Sequence, residues 1–174
     1  MKKDSVVPRT RGPRSGPALS AADSSKLQPI LDRWASVPGS LLPILHDVQA
    51  AFGHVPPGVV RPIAKALNRS RAEIHGVISF YHDFRTTPPG RAVLKLCQAE
   101  SCQACGSREL TAHVERALGC KLGQTSPDGA VTIEPVYCLG NCAVSPAAML
   151  DGELHGRVTP AKADALLEQA RSAR

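Results

Sequence analysis

The sequence predicts an α+β protein, in which a helical N-terminal domain precedes an α/β domain with the element order β-α-β-β-α. Between about residues 25 and 85, apolar side chains recur at the three- and four-residue spacing of helices. From about residue 90, short strand-like segments are separated by turn residues, and the first two each lead into a pair of cysteines. The predicted divisions are a tail at 1–22, a helical domain at 23–88 and the α/β domain at 89–174.

The tail at 1–22 carries most of the net charge. Five basic side chains against one acid give it +4 of the chain's formal +6, and its glycines and prolines accompany no apolar periodicity. This composition predicts a disordered basic segment. The rest of the chain is left with +2 (6 minus 4), so nucleic acid is not an expected partner.

The same tail bears on the expected location. It has neither the apolar core of a secretory signal nor the adjacent arginines of a twin-arginine signal. No stretch of the chain reaches the roughly 18 uninterrupted apolar residues of a membrane-spanning helix. We therefore expect a bacterial cytoplasmic protein without direct membrane contact.

Four helices are predicted in the helical domain. Gly53 is placed to end the second helix, a third is predicted near Gly58–Leu67, and Ser70 with Glu73 has the spacing of a capping box that begins the fourth. No metal-binding or catalytic spacing occurs in this domain. The apolar stripes of the first two helices are Leu27, Ile30, Leu31 and Trp34, then Leu41, Leu45, Val48 and Phe52.

Two strands of the α/β domain end near cysteines. A strand is predicted at 91–96 with Cys97 at its end, and a second at 131–136 is followed by Cys138. The helix between them is predicted to begin at Cys105 and to end before Gly119. Each cysteine pair therefore follows a strand.

The last part of the chain has a hairpin signal and a helix signal. Asp151-Gly152 is a strong turn sequence between segments 147–150 and 153–155. A closing helix is predicted with Thr159 as N-cap and Pro160 at its first position. These two signals complete the β-α-β-β-α order.

Four of the six cysteines form the pattern C-x4-C-x35-C-x3-C: Cys97 with Cys102, and Cys138 with Cys142. Thiolates bind soft or borderline metals, and a 2Fe-2S cluster takes four such ligands, so two pairs on two loops give each iron its own pair. Cys97, Cys102, Cys105 and Cys138 form an alternative set, close to the plant-type ferredoxin spacing. Spacing leaves both sets open. The helix predicted from Cys105 favours the first, with Cys105 and Cys120 as free thiols.

The cysteines also allow three other uses. A structural zinc site accepts four thiolates at inner spacings of two to four residues, which both pairs satisfy. Cys102-Gln-Ala-Cys105 also has the form of a thioredoxin-type dithiol, although it would take Cys102 from the cluster. Disulfide scaffolding is disfavoured because no secretion signal is found. Zinc is the strongest of the three.

Taken together, these motifs resemble the thioredoxin-like 2Fe-2S ferredoxin family, in particular the 24 kDa-type iron-sulfur subunit of NADH dehydrogenase modules. The resemblance covers residues 26–172 and extends beyond the cysteines to the segments at 42–56 and 78–81 of the helical domain. It implies a thioredoxin-like α/β domain. It also implies one 2Fe-2S cluster bound by Cys97, Cys102, Cys138 and Cys142, and it makes zinc a minor alternative.

Within that family, segment 97–106 is most similar to the gamma subunit of soluble NAD-dependent formate dehydrogenase. Complex I homologues and the diaphorase of NAD-linked hydrogenases are the alternatives. The chain has no motif for flavin or nicotinamide. The resemblance therefore implies that this chain has no catalytic residues and transfers single electrons. FMN and NAD would bind to an iron-sulfur beta subunit, and the molybdenum cofactor to an alpha subunit.

Several neighbours of the cysteines are candidates for adjusting the reduction potential. Backbone N–H groups and nearby cations stabilise the negative charge that reduction adds. The candidate amides belong to Gly106, Gly140 and Asn141, and the candidate cations are Lys95 and Arg108.

Overall fold

A computed structural model describes residues 19–172 of the chain. The chain divides into two compact units between Thr87 and Pro88. The first helix begins at Ala21, with the Ser20 hydroxyl accepting the Asp23 amide, so the last two residues of the predicted tail are helical. Residues 1–18, for which disorder is predicted, lie outside the described residues.

The first unit is helical, as its apolar stripes predict. Gly53 ends the second helix in the left-handed conformation at φ 74°, and Ser70 and Glu73 form a reciprocal capping box at the start of the fourth. The third predicted helix is divided into a 3-10 turn and a short helix. The elements are α1 (Ala21–Trp34), α2 (Leu41–Phe52), a 3-10 turn (Pro57–Val59), α3 (Val60–Ala66) and α4 (Arg71–Phe80).

The core of the first unit lies between these helices. It contains Ile44, Leu45, Val48, Ile63 and Ile74, all fully buried. The indole N–H of Trp34 in α1 donates to the Asp47 carboxylate in α2 at 2.8 Å. The unit therefore has its own apolar core, separate from that of the cysteine-bearing unit.

The second unit combines a four-stranded mixed sheet with helices. Its sheet order is β2-β1-β3-β4, with β1 and β2 parallel and the other neighbours antiparallel. The predicted order of strands and long helices is confirmed. The elements are β1 (Ala92–Cys97), α5 (Glu100–Ala104), α6 (Ser107–Leu118), β2 (Val131–Val136), a 3-10 turn (Cys142–Val144), β3 (Ala148–Leu150), β4 (Glu153–His155) and α7 (Pro160–Ser172).

The helix predicted to begin at Cys105 begins two residues later, at Ser107. A separate five-residue helix, α5, precedes it, Cys105 is the C-cap of α5, and α6 begins at Ser107. Gly106 separates the two helices at φ 90°, a conformation that favours glycine. A helix of five residues is too short to produce an apolar period, so no sequence signal marks it.

The core of the second unit lies between the sheet and helices α6 and α7. The apolar faces of α6 and α7 cover buried strand residues such as Leu94, Leu96 and Ile133. Within residues 19–172, no helix is both long and apolar enough to cross a membrane.

Candidate metal centre

The parallel pairing of β1 with β2 brings the two cysteine segments together. Cys97, the last residue of β1, is the register partner of Val136, the last residue of β2. Because parallel strands end at the same edge of a sheet, the segments that follow them begin side by side. The Gln98 amide donates to the Val136 carbonyl at 2.8 Å and holds the two exits in register.

Helix α5 places the second thiol. Cys102 lies on this helix and is buried in the same small cluster as Cys97. The exposed fraction is 2% for Cys102 and 3% for Cys97. The Gln98 side chain donates to the Thr111 hydroxyl at 3.0 Å, and the Gln103 side chain donates to the Gln98 carbonyl at 2.7 Å. These bonds attach α5 to the end of β1 and to α6.

Arg108 completes this hydrogen-bond network. Its guanidinium donates twice to the Gln103 side-chain oxygen, at 3.0 and 2.6 Å. Arg108 therefore orients Gln103, the residue that follows Cys102. The Gly106 amide donates to the Gln103 carbonyl at 3.1 Å. This hydrogen bond lies at the C-terminal end of α5.

The second cysteine segment has an unusual backbone. Cys138 has φ 107°, a region that residues with a side chain seldom occupy. The Gly140 amide donates to the Cys138 sulfur at 3.3 Å, as its candidate role requires. The Cys138 and Cys142 sulfurs lie 3.8 Å apart, and both residues are exposed.

Two serines connect the cysteine segments. The Ser145 hydroxyl oxygen lies 3.4 Å from the Cys102 sulfur, 3.0 Å from the Ser101 hydroxyl oxygen and 3.0 Å from the Cys142 carbonyl oxygen. A second connection is made by the Cys138 amide, which donates to the Cys97 sulfur. All four predicted ligands are thus brought together, as one buried and one exposed pair.

The surroundings of the buried pair shift its two thiols in opposite directions. Burial raises the pKa of Cys97, and the neighbouring Cys102 thiol adds to this, partly offset by the Ala99 and Cys138 amides. Burial also raises the pKa of Cys102, but hydrogen bonds from Ser145, Cys97 and the Ala147 amide more than offset it. The net pKa of Cys102 is therefore lowered, which favours the thiolate that binds metal.

In the exposed pair, the neighbouring thiols affect Cys142. The hydrogen bond with Cys138 raises the pKa of Cys142, and the charges of Cys138, Cys102 and Cys97 add to the effect. Like charges this close oppose ionisation unless a cation is shared among them. The Cys142 sulfur is therefore near enough to the other three for their charges to act on it.

The two remaining cysteines differ from these four. Cys105 is exposed at the end of α5, and Cys120 is half-buried against the core of the second unit. Burial, followed by the Glu115 and Asp128 charges, raises the pKa of Cys120. Neither residue appears in the contacts that join the two cysteine segments.

The donor set fits a group that binds through two pairs of thiolates. Among residues 19–172, no three cysteine, histidine or acidic side chains are grouped tightly enough to hold one metal ion. The thiols lie instead as two pairs on adjoining segments, each with an amide directed at one of its sulfurs. Such amides are typical partners of iron-sulfur clusters.

Most of the chain matches a protein-family model. The model for the thioredoxin-like [2Fe-2S] ferredoxin matches residues 27–171. The chain belongs to this family. The match includes most of both units, so the helical unit is part of what this ferredoxin shares with its family.

Components of redox complexes are similar to this ferredoxin along most of its length. An NADH-quinone oxidoreductase subunit from Rhizobium meliloti (strain 1021) is 38% identical over 81% of this chain and 84% of its own length. An NADH-quinone oxidoreductase subunit from Escherichia coli (strain K12) is 33% identical over 87% of this chain and 91% of its own length. The HndA subunit of the NADP-reducing hydrogenase of Solidesulfovibrio fructosivorans is 30% identical over 75% of this chain and 77% of its own length.

A solved structure has a similar fold. A chain of an NAD+-reducing [NiFe]-hydrogenase in the air-oxidized state superposes with a TM-score of 0.67 at 26% identity, over 81% of this ferredoxin. The superposed part is 24% of that hydrogenase chain, so this ferredoxin spans about a quarter of the length of the hydrogenase chain.

Sequence patterns do not identify Ser101 and Ser145 as neighbours of the site. Neither belongs to a metal-binding motif, and they are 44 residues apart in the chain. The one available signal is the position of Ser145 three residues after Cys142, next to Pro146. That signal is common to many turns and does not identify a partner of Cys102.

Proposed function

We propose that this ferredoxin is the one-electron-transfer subunit of an NAD-linked multi-subunit oxidoreductase. The observation that carries the proposal is the convergence of Cys97, Cys102, Cys138 and Cys142 at one edge of the sheet, as two pairs of sulfurs contacted by backbone amides. A 2Fe-2S cluster bound there holds one electron at a time.

The protein contributes position and charge stabilisation to this role. β1 and α5 hold the buried thiols, and the hydrogen bonds of Gln98 and Gln103 keep α5 against the sheet. The Gly140 amide directs positive charge at the Cys138 sulfur. Both features favour a site that keeps its geometry when its charge changes, which one-electron exchange requires.

The exposed pair is the proposed side of electron exchange. Cys138 and Cys142 face solvent, and the adjoining Tyr137 is 78% exposed. Exposed aromatic side chains are common in protein interfaces. A partner subunit that binds FMN and NAD would contact this side, and its flavin would convert the two-electron chemistry of hydride into single electrons.

The parent complex is proposed at two levels. The relatives include components of NADH-quinone oxidoreductase and of NADP-reducing hydrogenase, which supports an NAD-linked or closely related assembly. The narrower proposal is a cytoplasmic NAD-dependent formate dehydrogenase with a molybdenum-containing alpha subunit. Its support is the sequence of segment 97–106 alone.

Metal analysis tests the site. Protein purified without oxygen should be red-brown, with two irons and two acid-labile sulfides per chain and an EPR signal that appears on reduction. Colourless protein with one tightly bound zinc would refute the electron-transfer proposal and support a structural zinc module.

Substitutions test the ligand set. Serine at position 97, 102, 138 or 142 should lower iron content or alter the EPR signal, whereas Cys105→Ala and Cys120→Ala serve as matched controls that retain two irons. Loss of iron in Cys105→Ala together with retention in Cys142→Ala would replace the proposed set by the plant-type arrangement.

Co-purification from the native host tests the parent complex. A molybdenum subunit that oxidises formate, together with a flavoprotein, is the expected result. A hydrogenase or a quinone-reducing membrane complex as the stable partner would contradict the formate dehydrogenase proposal and leave the electron-transfer role intact.

A further inference from the structure

A pair of serine hydroxyls lies at the junction of the two cysteine segments. Ser145 contacts the Cys102 sulfur at 3.4 Å and the Ser101 hydroxyl at 3.0 Å. Both serines also reach the Cys142 carbonyl, Ser145 at 3.0 Å and Ser101 at 3.4 Å. One small network thus contacts a buried ligand position, the helix that carries it and the backbone of an exposed ligand position.

Counting protons shows how this network can be arranged. Each hydroxyl has one proton to donate, and the available acceptors are the Cys142 carbonyl, the Cys102 sulfur and the two hydroxyl oxygens. When Cys102 carries a proton, it can donate to Ser145, and Ser145 can donate to the carbonyl. When Cys102 is a metal-bound thiolate it can only accept, so Ser145 turns its proton to the sulfur and Ser101 takes over the carbonyl.

We propose that Ser145 is a positioning residue for the one-electron chemistry of this centre: it donates a hydrogen bond to the Cys102 thiolate and raises the reduction potential of the cluster held there. The inference rests on the proposed function. Reduction adds negative charge that spreads onto the sulfurs, so a donor to sulfur stabilises the reduced state more than the oxidised state. Ser101 acts through Ser145, because it occupies the competing carbonyl.

The contact between Ser145 and Cys102 is partly buried and joins two distant parts of the chain. Cys102 is 2% exposed, so water contributes little to solvating its sulfur, and hydrogen bonds in such surroundings are stronger than at the surface. Ser145 is part of the second segment and Cys102 part of the first. Their contact spans 43 residues of sequence, so it also ties the two segments together.

The test is a redox titration of the full-length, iron-loaded chain, followed by EPR, for the wild type and four variants. Ser145→Ala should decrease the ratio of reduced to oxidised cluster at a fixed potential about tenfold, which for one electron is a lowering of about 59 mV. Ser145→Thr keeps the hydroxyl and suits the extended backbone at φ −63°, ψ 151°, so it should titrate as the wild type does.

Ser101→Ala should lower the potential in the same direction but by less, because Ser145 is then shared between the Cys142 carbonyl and the Cys102 sulfur. Ser79→Ala is the matched control. It removes a hydroxyl that donates to the Gly76 carbonyl at 3.1 Å within α4, far along the chain from the cysteines, and it should leave the potential unchanged.

The outcomes separate this inference from the proposed function. If the wild type holds no iron and sulfide, the proposed function fails and the inference with it. If the wild type is loaded and Ser145→Ala titrates like the wild type, the inference is overturned and the proposed function stands. If Ser145→Ala fails to load, Ser101→Ala decides: a lowered potential supports the inference, and an unchanged one overturns it.

Discussion

Gly156, directly after β4, should be intolerant of any side chain because it packs on the second cysteine segment. A Cβ atom at this position would lie 2.3 Å from Val144 Cγ2, 2.8 Å from Val144 Cβ and 2.9 Å from the Val144 carbonyl oxygen. Non-bonded carbons prefer about 3.5–4.0 Å, so the shortest contact is more than about 1 Å too close. Rotating the Val144 side chain relieves only the first of the three contacts.

We therefore expect Gly156→Ala to displace the 3-10 turn Cys142–Val144. Overpacking of this kind costs about 1–3 kcal/mol of unfolding free energy. With a urea dependence of about 2 kcal/mol per molar, the midpoint of urea unfolding should fall by about 0.5–1.5 M. Because Val144 is two residues from Cys142, iron content after reconstitution should also fall.

The assay is urea unfolding of the full chain followed by circular dichroism, with iron measured on the same preparations. Gly90→Ala is the matched control, because its Cβ would lie 3.0 Å from the Gly129 carbonyl oxygen, next to the start of β1 and at the other end of that strand from Cys97. It should cost stability and still bind two irons.

A second substitution tests whether the contact with Val144 causes the loss of stability in Gly156→Ala. Val144→Ala in the Gly156→Ala background removes the 2.3 Å contact but leaves those at 2.8 and 2.9 Å, so it should restore stability in part. A Gly156→Ala chain with the wild-type midpoint and full iron content would refute the packing argument.

Three further predictions concern the described residues. Cys138→Gly should relieve the strain at φ 107° and stabilise the metal-free chain by about 0.5–2 kcal/mol relative to Cys138→Ser in urea unfolding, while iron binding is impaired; equal stability would contradict the strain. Ser70→Ala removes the hydroxyl that accepts the N3 amide of α4 and should lower the unfolding free energy by about 1 kcal/mol in thermal melts, whereas an unchanged melt would show that the cap adds nothing. Hydrogen bonds from Ser126 and the Ala130 amide hold the pKa of Asp128 below its ordinary value of 3.8, so its stabilisation is present above that pH and is lost as the pH falls through the lowered pKa. The stability difference between Asp128→Asn and the wild type should therefore shrink below about pH 4 in acid titrations, and a difference that grows there would contradict the sign.

Much of the fold could be predicted because its signals are local. The stripe of α2 and its terminal Gly53, the capping box at Ser70 and the Asp151-Gly152 hairpin each depend on residues within a few positions of one another. Tertiary packing agrees with these local preferences, so the strands and long helices are found where they were predicted.

Helix α5 and the backbone of Cys138 could not be predicted in the same way. Five residues do not complete enough turns to show a period, and α5 is held by hydrogen bonds of Gln98 and Gln103 to residues outside it. A positive φ at a cysteine opposes local preference and persists because its surroundings impose it.

The amino-acid sequence by itself determined which thiols are available, their spacing in two pairs, and the elements that precede them. The tertiary structure alone decided that one pair is buried and the other exposed, that Ser145 reaches Cys102, and that Gly156 packs on Val144. The physical reason is that these contacts join residues brought together by the register of β1 with β2 and by the packing of β4. Contacts between residues distant in sequence leave no periodic pattern in one chain.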